Sequence, residues 1–136
     1  MLNGSCLCGA VAFTVEGPLR DVTSCHCSQC RKMTGHYWAA TGTAIAAVTF
    51  SRQEGLKWYR SSDAAERGFC GQCGGTLFWK PVAQGRMAIS MGSFDQPTGL
   101  TTTHHIFVAD KGDYYDIDDT KLAESEYGAQ GPEVSL

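Results

Sequence analysis

The chain has 136 residues, the usual size of one domain, and its 43% apolar and 18% charged residues are ordinary for a folded protein. Its formal charge of −3 comes without a basic run, which predicts no nucleic-acid partner. It contains no apolar stretch long enough to cross a membrane, and its first residues do not resemble a signal peptide. We therefore expect a cytoplasmic protein with no membrane partner, and the sequence leaves its oligomeric state open.

Short strands separated by turn residues dominate the predicted secondary structure. The first strand, residues 10–15, places Val11, Phe13 and Val15 on one face. Further strands are predicted at residues 22–25, 37–41, 46–51, 56–60, 76–79, 86–91 and 105–109. One helical turn is predicted at residues 28–33, with Ser28 as its N-cap. The pattern predicts a mainly β domain over residues 3–120, followed by a C-terminal tail over residues 121–136.

The seven cysteines fall into three clusters with the spacings C-x-C, C-x-C-x-x-C and C-x-x-C. In a reducing compartment such clusters indicate metal binding or catalysis, and an odd number argues against a disulfide framework. Thiolates at these spacings favour tetrahedral zinc. We therefore predict zinc as the cofactor, two per chain, which would bring the net charge to about −6.

The two outer clusters predict one closed site, whose ligands we call the quartet: Cys6, Cys8, Cys70 and Cys73. Glycines in and after the C-x-x-C segment allow a tight turn whose backbone N–H groups point at the sulfurs. That turn supplies two ligands, and the N-terminal C-x-C segment supplies the other two. Since four thiolates leave no position for a substrate, the predicted role is structural. The alternative is two reactive dithiols.

The middle cluster, which we call the trio, consists of Cys25, Cys27 and Cys30. Three ligands within six residues can cap one face of a metal ion and leave the opposite face open. Three thiolates also make zinc a weak Lewis acid, so activation of water is disfavoured. A thiol suits such a site better, because it would lose its proton and bind as a thiolate. An open trio would therefore be a reactive site with a small-molecule thiol as its partner.

Polar neighbours of the trio leave an alternative open, in which a second structural zinc is completed by His26, His36 or His104. His26 lies between two ligands and is expected to face away from the metal. Arg31 follows the trio and is a candidate to bind a carboxylate of an anionic substrate. His104 or His105 is expected to be packed, hydrogen-bonded or in contact with substrate.

Three runs of sequence resemble the glutathione-dependent formaldehyde-activating enzyme family, which also includes centromere protein V: GSCLCGAV (4–11), CHCSQCRK (25–32) and FCGQCGG (69–75). The run HIFV (105–108) is similar to a late strand of that family, so the resemblance covers residues 4–119. It implies a mainly β fold, a β-tent of short antiparallel strands around a structural zinc site made of four cysteines. It also implies that the quartet holds that zinc and that the trio holds a second zinc at the catalytic site.

The resemblance implies a carbon–sulfur lyase that acts on glutathione and formaldehyde and forms S-hydroxymethylglutathione. More generally, it points to adducts between a small thiol and an aldehyde. One alternative is a non-catalytic, zinc-stabilised module that binds a protein partner. Another is a thiol redox sensor in which oxidation of the trio releases zinc.

Overall fold

The computed structural model describes residues 1–117 and the backbone of residues 123–124. Its strands are β1 (Leu2–Ser5), β2 (Ala12–Val15), β3 (Val22–Cys25), β4 (Trp38–Ala44), β5 (Val48–Arg52), β6 (Leu56–Arg60), β7 (Ala65–Cys70), β8 (Thr76–Pro81), β9 (Arg86–Ser90), β10 (Thr102–Ile106) and β11 (Ala123–Glu124). The helices are α1 (Ser28–Thr34) and three 3₁₀ turns at Ile45–Ala47, Met91–Ser93 and Val108–Asp110. The predicted mainly β fold of short strands is confirmed.

The described residues form two compact units. The first comprises Met1–Arg20 and Thr41–Gly99, and the second comprises Asp21–Ala40 together with residues 100–117 and 123–124. The domain predicted over residues 3–120 stays a prediction, and most of the predicted tail, 121–136, lies outside the described residues. None of the described helices has the length and hydrophobicity of a membrane span.

The first unit contains two antiparallel sheets over one apolar core. Strands β1, β2 and β5 form one sheet in that order, and β6, β7, β8 and β9 pair in sequence as a meander. At the centre of the core, Phe13 meets Phe78 and Phe94 edge-on, with ring centroids 5.2 and 5.7 Å apart. Such pairs add about 0.5–1.5 kcal/mol each beyond area burial. Two quartet cysteines, Cys6 and Cys70, belong to the same buried cluster.

In the second unit, β10 lies between β11 and β3 and is parallel to both, while β3 is antiparallel to β4. Strand β3 leads directly into α1, so the trio lies at a strand-to-helix transition. The predicted N-cap was wrong by one residue: Cys27 caps α1 by accepting a 3.4 Å hydrogen bond from the Cys30 N–H, and Ser28 is the first helical residue. The helix ends at Gly35, which adopts the left-handed conformation typical of a C-cap.

Candidate metal centres

The structure brings the four quartet sulfurs together, all within 4.8 Å of one another. Both measured separations, Cys6 Sγ to Cys8 Sγ and Cys8 Sγ to Cys70 Sγ, are 3.7 Å. Sulfurs bound to tetrahedral zinc at about 2.3 Å lie roughly 3.8 Å apart, whereas bonded disulfide sulfurs lie about 2.05 Å apart. All seven cysteines are within the described residues and none forms a disulfide. The quartet therefore has the spacing of a tetrahedral thiolate site.

A tight turn after β7 supplies half of the quartet. The backbone N–H groups of Gln72 and Cys73 donate to Cys70 Sγ at 3.4 and 3.5 Å. The turn closes through a 2.8 Å hydrogen bond from the Gly74 N–H to the Cys70 carbonyl. Gly74 has a φ of +78°, a conformation that side chains disfavour. The glycine-rich sequence thus folds as expected, with N–H groups aimed at sulfur.

Backbone N–H groups also favour thiolates elsewhere in the quartet. The Val11 N–H donates to Cys6 Sγ at 3.3 Å. Hydrogen bonds from the backbone N–H groups of Cys8 and Gly75 lower the pKa of the Cys73 thiol to about 6. Cys8 differs: although a hydrogen bond from the Ala10 N–H lowers the pKa of its thiol, desolvation and the three neighbouring sulfurs raise it to about 11. Since metals bind the thiolate, the backbone hydrogen bonds favour cation binding at Cys6 and Cys73, and a bound cation would be needed to favour the thiolate at Cys8.

The structure also brings the trio sulfurs within 4.8 Å of one another. Cys30 is buried, and Cys25 and Cys27 are half-buried. Hydrogen bonds with Cys27 and Cys30, followed by burial, raise the pKa of the Cys25 thiol. Three crowded sulfurs resist becoming thiolates unless a cation lies between them, because a metal ion reverses this preference. Among the described residues, no histidine or carboxylate joins the trio as a fourth ligand.

His26, between two trio cysteines, uses both ring nitrogens away from the sulfurs. Its Nδ1 lies 2.5 Å from the Tyr115 hydroxyl, and its Nε2 lies 2.9 Å from Nδ1 of His105. Burial lowers the pKa of His26 to about 4, and the charges of His105, His36 and Lys111 act in the same direction. The imidazole is therefore neutral near pH 7 and, as expected, is not a member of the ligand group.

The other two histidines considered as a fourth ligand contact other side chains. The His36 ring contacts Tyr37 at a tilt and Tyr115 edge-on, with centroids 4.2 and 4.4 Å away. Nδ1 of His104 lies 2.8 Å from the Thr103 hydroxyl. Neither joins the trio among the described residues.

The tyrosine partners of His26 and His36 were not predicted from the sequence. Tyr114 and Tyr115 are adjacent in a polar, acidic segment. Two aromatic residues in such a segment were the one signal in the sequence that it packs against other residues. The structure places Tyr115 5.6 Å from His26 and 5.3 Å from Tyr114, centroid to centroid. Burial raises the pKa of the Tyr115 hydroxyl, so it stays protonated.

Arg31 lies on α1 directly after Cys30. Its Nε is buried and finds no hydrogen-bond partner in the described part of the chain. Its positive charge acts on the Tyr115 hydroxyl, opposing the upward shift of that pKa. A cation with an unused donor beside the trio is what binding of a carboxylate would require.

Two comparisons relate this arrangement to other proteins. A Schizosaccharomyces pombe protein described as an uncharacterized lyase is 32% identical over 119 residues, which cover 85% of this chain and 84% of the relative. A crystal structure of a Rhodobacter sphaeroides protein superposes with a TM-score of 0.60 at 24% identity, covering 74% of this chain and 99% of the other. The structural likeness supports the fold.

The sequence profile described as glutathione-dependent formaldehyde-activating enzyme matches residues 1–110, a span that contains both cysteine groups. This match agrees with the resemblance carried by the cysteine runs. The chain therefore belongs to the glutathione-dependent formaldehyde-activating enzyme family.

Proposed function

We propose that the protein is a zinc-dependent carbon–sulfur lyase that forms or cleaves adducts between a small thiol and an aldehyde. Glutathione and formaldehyde are the proposed pair, with S-hydroxymethylglutathione as the adduct. Family membership and the yeast relative described as a lyase support this class of reaction. We propose residues 3–120 as the working domain and the cytoplasm as its compartment, where seven cysteines without disulfides would remain reduced.

The observation that carries the proposal is the contrast in ligand number between the two cysteine groups. The quartet offers four sulfurs, whereas the trio offers three and finds no fourth ligand among the described residues. We therefore propose two zinc ions per chain, a structural one in the quartet and a catalytic one in the trio. Zinc bound to the trio would stabilise the thiolate form of an incoming thiol.

In the proposed reaction the thiol sulfur bonds to the aldehyde carbon, and the proton lost by the thiol ends on the aldehyde oxygen. Cleavage is the reverse, so no oxidant or reductant is needed. The protein's part is to hold the thiol and to keep it in place. Arg31, whose buried Nε has no partner among the described residues, is the residue that we propose binds a carboxylate of the thiol substrate.

Zinc content and exchange kinetics test this proposal together. The parent protein should hold two zinc ions per chain and Cys27→Ser one. Nuclear magnetic resonance exchange spectroscopy should show faster equilibration of glutathione, formaldehyde and their adduct with the parent, but not with Cys27→Ser. Ser28→Ala, a change at the neighbouring exposed residue, serves as the matched control and should behave as the parent.

Two results would contradict different parts of the proposal. One zinc ion in both the parent and Cys27→Ser would mean that the trio is not a metal site. Two zinc ions in the parent, with equilibration no faster than in buffer, would remove glutathione and formaldehyde as the substrates while leaving the metal sites in place.

A further inference from the structure

A hydrogen-bonded chain of three side chains lies behind the trio: Tyr115, His26 and His105. The middle member, His26, is 1% exposed and contributes both ring nitrogens, to the Tyr115 hydroxyl at 2.5 Å and to His105 Nδ1 at 2.9 Å. Its backbone N–H also donates to the Ile106 carbonyl at 2.9 Å. The residue between two trio cysteines is therefore held by its backbone and by both ends of its side chain.

The two partners of His26 come from segments that are themselves fixed. His105 lies on β10, which pairs with β3 so that His105 stands opposite Ser24 and Ile106 opposite Cys25. Lys111 ties down the tyrosine segment, because its Nζ donates to the carbonyls of Gly112 and Tyr115. His105 and Tyr115 are thus each held in place by backbone hydrogen bonds that do not depend on His26.

In the hydrogen-bonded series Tyr115–His26–His105, the direction of one hydrogen bond fixes the direction of the other. A neutral imidazole has one N–H and one acceptor nitrogen, so donation by the Tyr115 hydroxyl to His26 requires donation by His26 to His105. His105 Nε2 then ends the chain as a buried N–H with no partner among the described residues. The opposite polarity leaves a buried lone pair there instead. In either polarity the unpaired buried nitrogen lowers the stability of the protein.

We propose that this chain positions the trio, with Tyr115 and His105 acting through His26 to set the orientation of the Cys25 and Cys27 sulfurs. Successive side chains of an extended segment point to opposite sides, so a ring fixed on one side fixes its two neighbours on the other. Groups behind metal ligands commonly contribute 10–100-fold to metal affinity, and this range is our expectation here. The inference rests on the proposed function, because it requires a metal ion in the trio.

Cadmium nuclear magnetic resonance on the full chain tests the inference, because each bound ion gives its own signal. The parent should give two signals, one from each cysteine group. Tyr115→Phe removes only the hydroxyl, and should shift the trio signal and weaken cadmium binding there by about 10–100-fold. The quartet signal, an internal reference in the same molecule, should not move.

Tyr114→Phe is the matched control. The Tyr114 hydroxyl donates to the Gly35 carbonyl at 3.0 Å and does not reach His26, so both signals should stay in place. A general loss of stability would lower occupancy in Tyr115→Phe without moving the trio signal. An unmoved signal with unchanged affinity would overturn the inference. A parent with only the quartet signal would instead overturn the proposed metal site, and the inference with it.

Two substitutions of His105 separate hydrogen bonding from packing. Asn places a polar atom near the position of the imidazole Nδ1 and can therefore still hydrogen-bond to His26, whereas Ala cannot. His105→Ala should weaken cadmium binding at the trio, and His105→Asn should restore most of it. Equal loss in both variants would show that the hydrogen bond to His26 does not position the site, and would also overturn the inference.

Discussion

The chain uses the Cys-x-Cys pattern twice, and the middle residue has opposite surroundings in the two copies. Leu7 stands between two quartet cysteines and is 94% exposed, whereas His26 stands between two trio cysteines and is 1% exposed. Around Leu7 the sulfurs are held by backbone N–H groups, such as that of Val11. The segment around His26 is held by the His26 ring itself, which hydrogen-bonds to Tyr115 and His105. The same spacing therefore occurs once around an exposed side chain, with backbone N–H groups at the sulfurs, and once around a buried ring that has two side-chain partners.

The two cysteine groups also differ in how far apart in the sequence their members lie. The quartet joins two segments of the first unit, since Cys8 and Cys70 are 62 residues apart, and two of its sulfurs lie in the apolar core. The trio comes from one short segment of the second unit. A closed group that cross-links distant strands contributes mainly to folding, whereas a local group with an open side contributes little cross-linking. Loss of the quartet should therefore unfold the first unit, and loss of the trio should remove chemistry.

Cys70→Ser should have the largest effect on stability. Cys70 is fully buried in the core, and its sulfur accepts hydrogen bonds from two backbone N–H groups. The variant should therefore lose metal binding at the quartet and packing in the core. We expect the free energy of unfolding to fall by on the order of 5 kcal/mol or more, measured by denaturant unfolding at fixed zinc concentration. Cys27→Ser is the control and should fall by about 1 kcal/mol. Equal losses in the two variants would contradict the division between a structural and a reactive group.

Graded chelation should separate the two groups kinetically. A chelator could attack the open side of a metal ion held by the trio, whereas an ion in the quartet would be surrounded by four sulfurs, two of them from buried cysteines. Zinc release followed with a coloured indicator should show two phases of equal size. Thiol–aldehyde activity should disappear with the fast phase and circular dichroism should change with the slow one. Release of both ions in a single phase would contradict the proposed difference between a closed quartet and an open trio.

Gly55→Ala should have a smaller but measurable effect on the quartet. A Cβ at this position would lie 2.9 Å from Cys70 Sγ and 2.8 Å from the Ala10 Cβ, both too close. We expect a loss of about 1–3 kcal/mol in the free energy of unfolding, together with weaker metal binding at the quartet alone. Gly85→Ala is matched, because its Cβ would meet nothing within 4 Å, and should be neutral or slightly stabilising. If Gly55→Ala left the free energy of unfolding unchanged, the turn after β7 would be able to move away from residue 55 without loss of stability.

The sequence was sufficient for features encoded within a few residues. Both cysteine groups, β3 and β6 could be predicted because spacing and alternation are local. Strand β7 was missed, since Arg67 is buried and Gly68 interrupts the apolar pattern. The N-cap of α1 was predicted one residue too late because a cysteine side chain, that of Cys27, has the capping role that a hydroxyl usually has. The contact between His26 and Tyr115 spans 89 residues, and no local pattern encodes such a pairing.

The smallest effect is expected at Leu7, which makes it the best test of the two Cys-x-Cys copies. Leu7→Ser replaces a side chain that is 94% exposed, so the free energy of unfolding should change by less than about 0.5 kcal/mol and cadmium affinity at the quartet should not change. His26→Ser makes the matching change in the trio, where cadmium affinity should fall by about 10–100-fold because both anchors are lost. Titration of both variants beside the parent compares them directly. If Leu7→Ser weakened its site as much as His26→Ser, the quartet would also depend on its middle side chain, and backbone N–H groups alone would not account for its geometry.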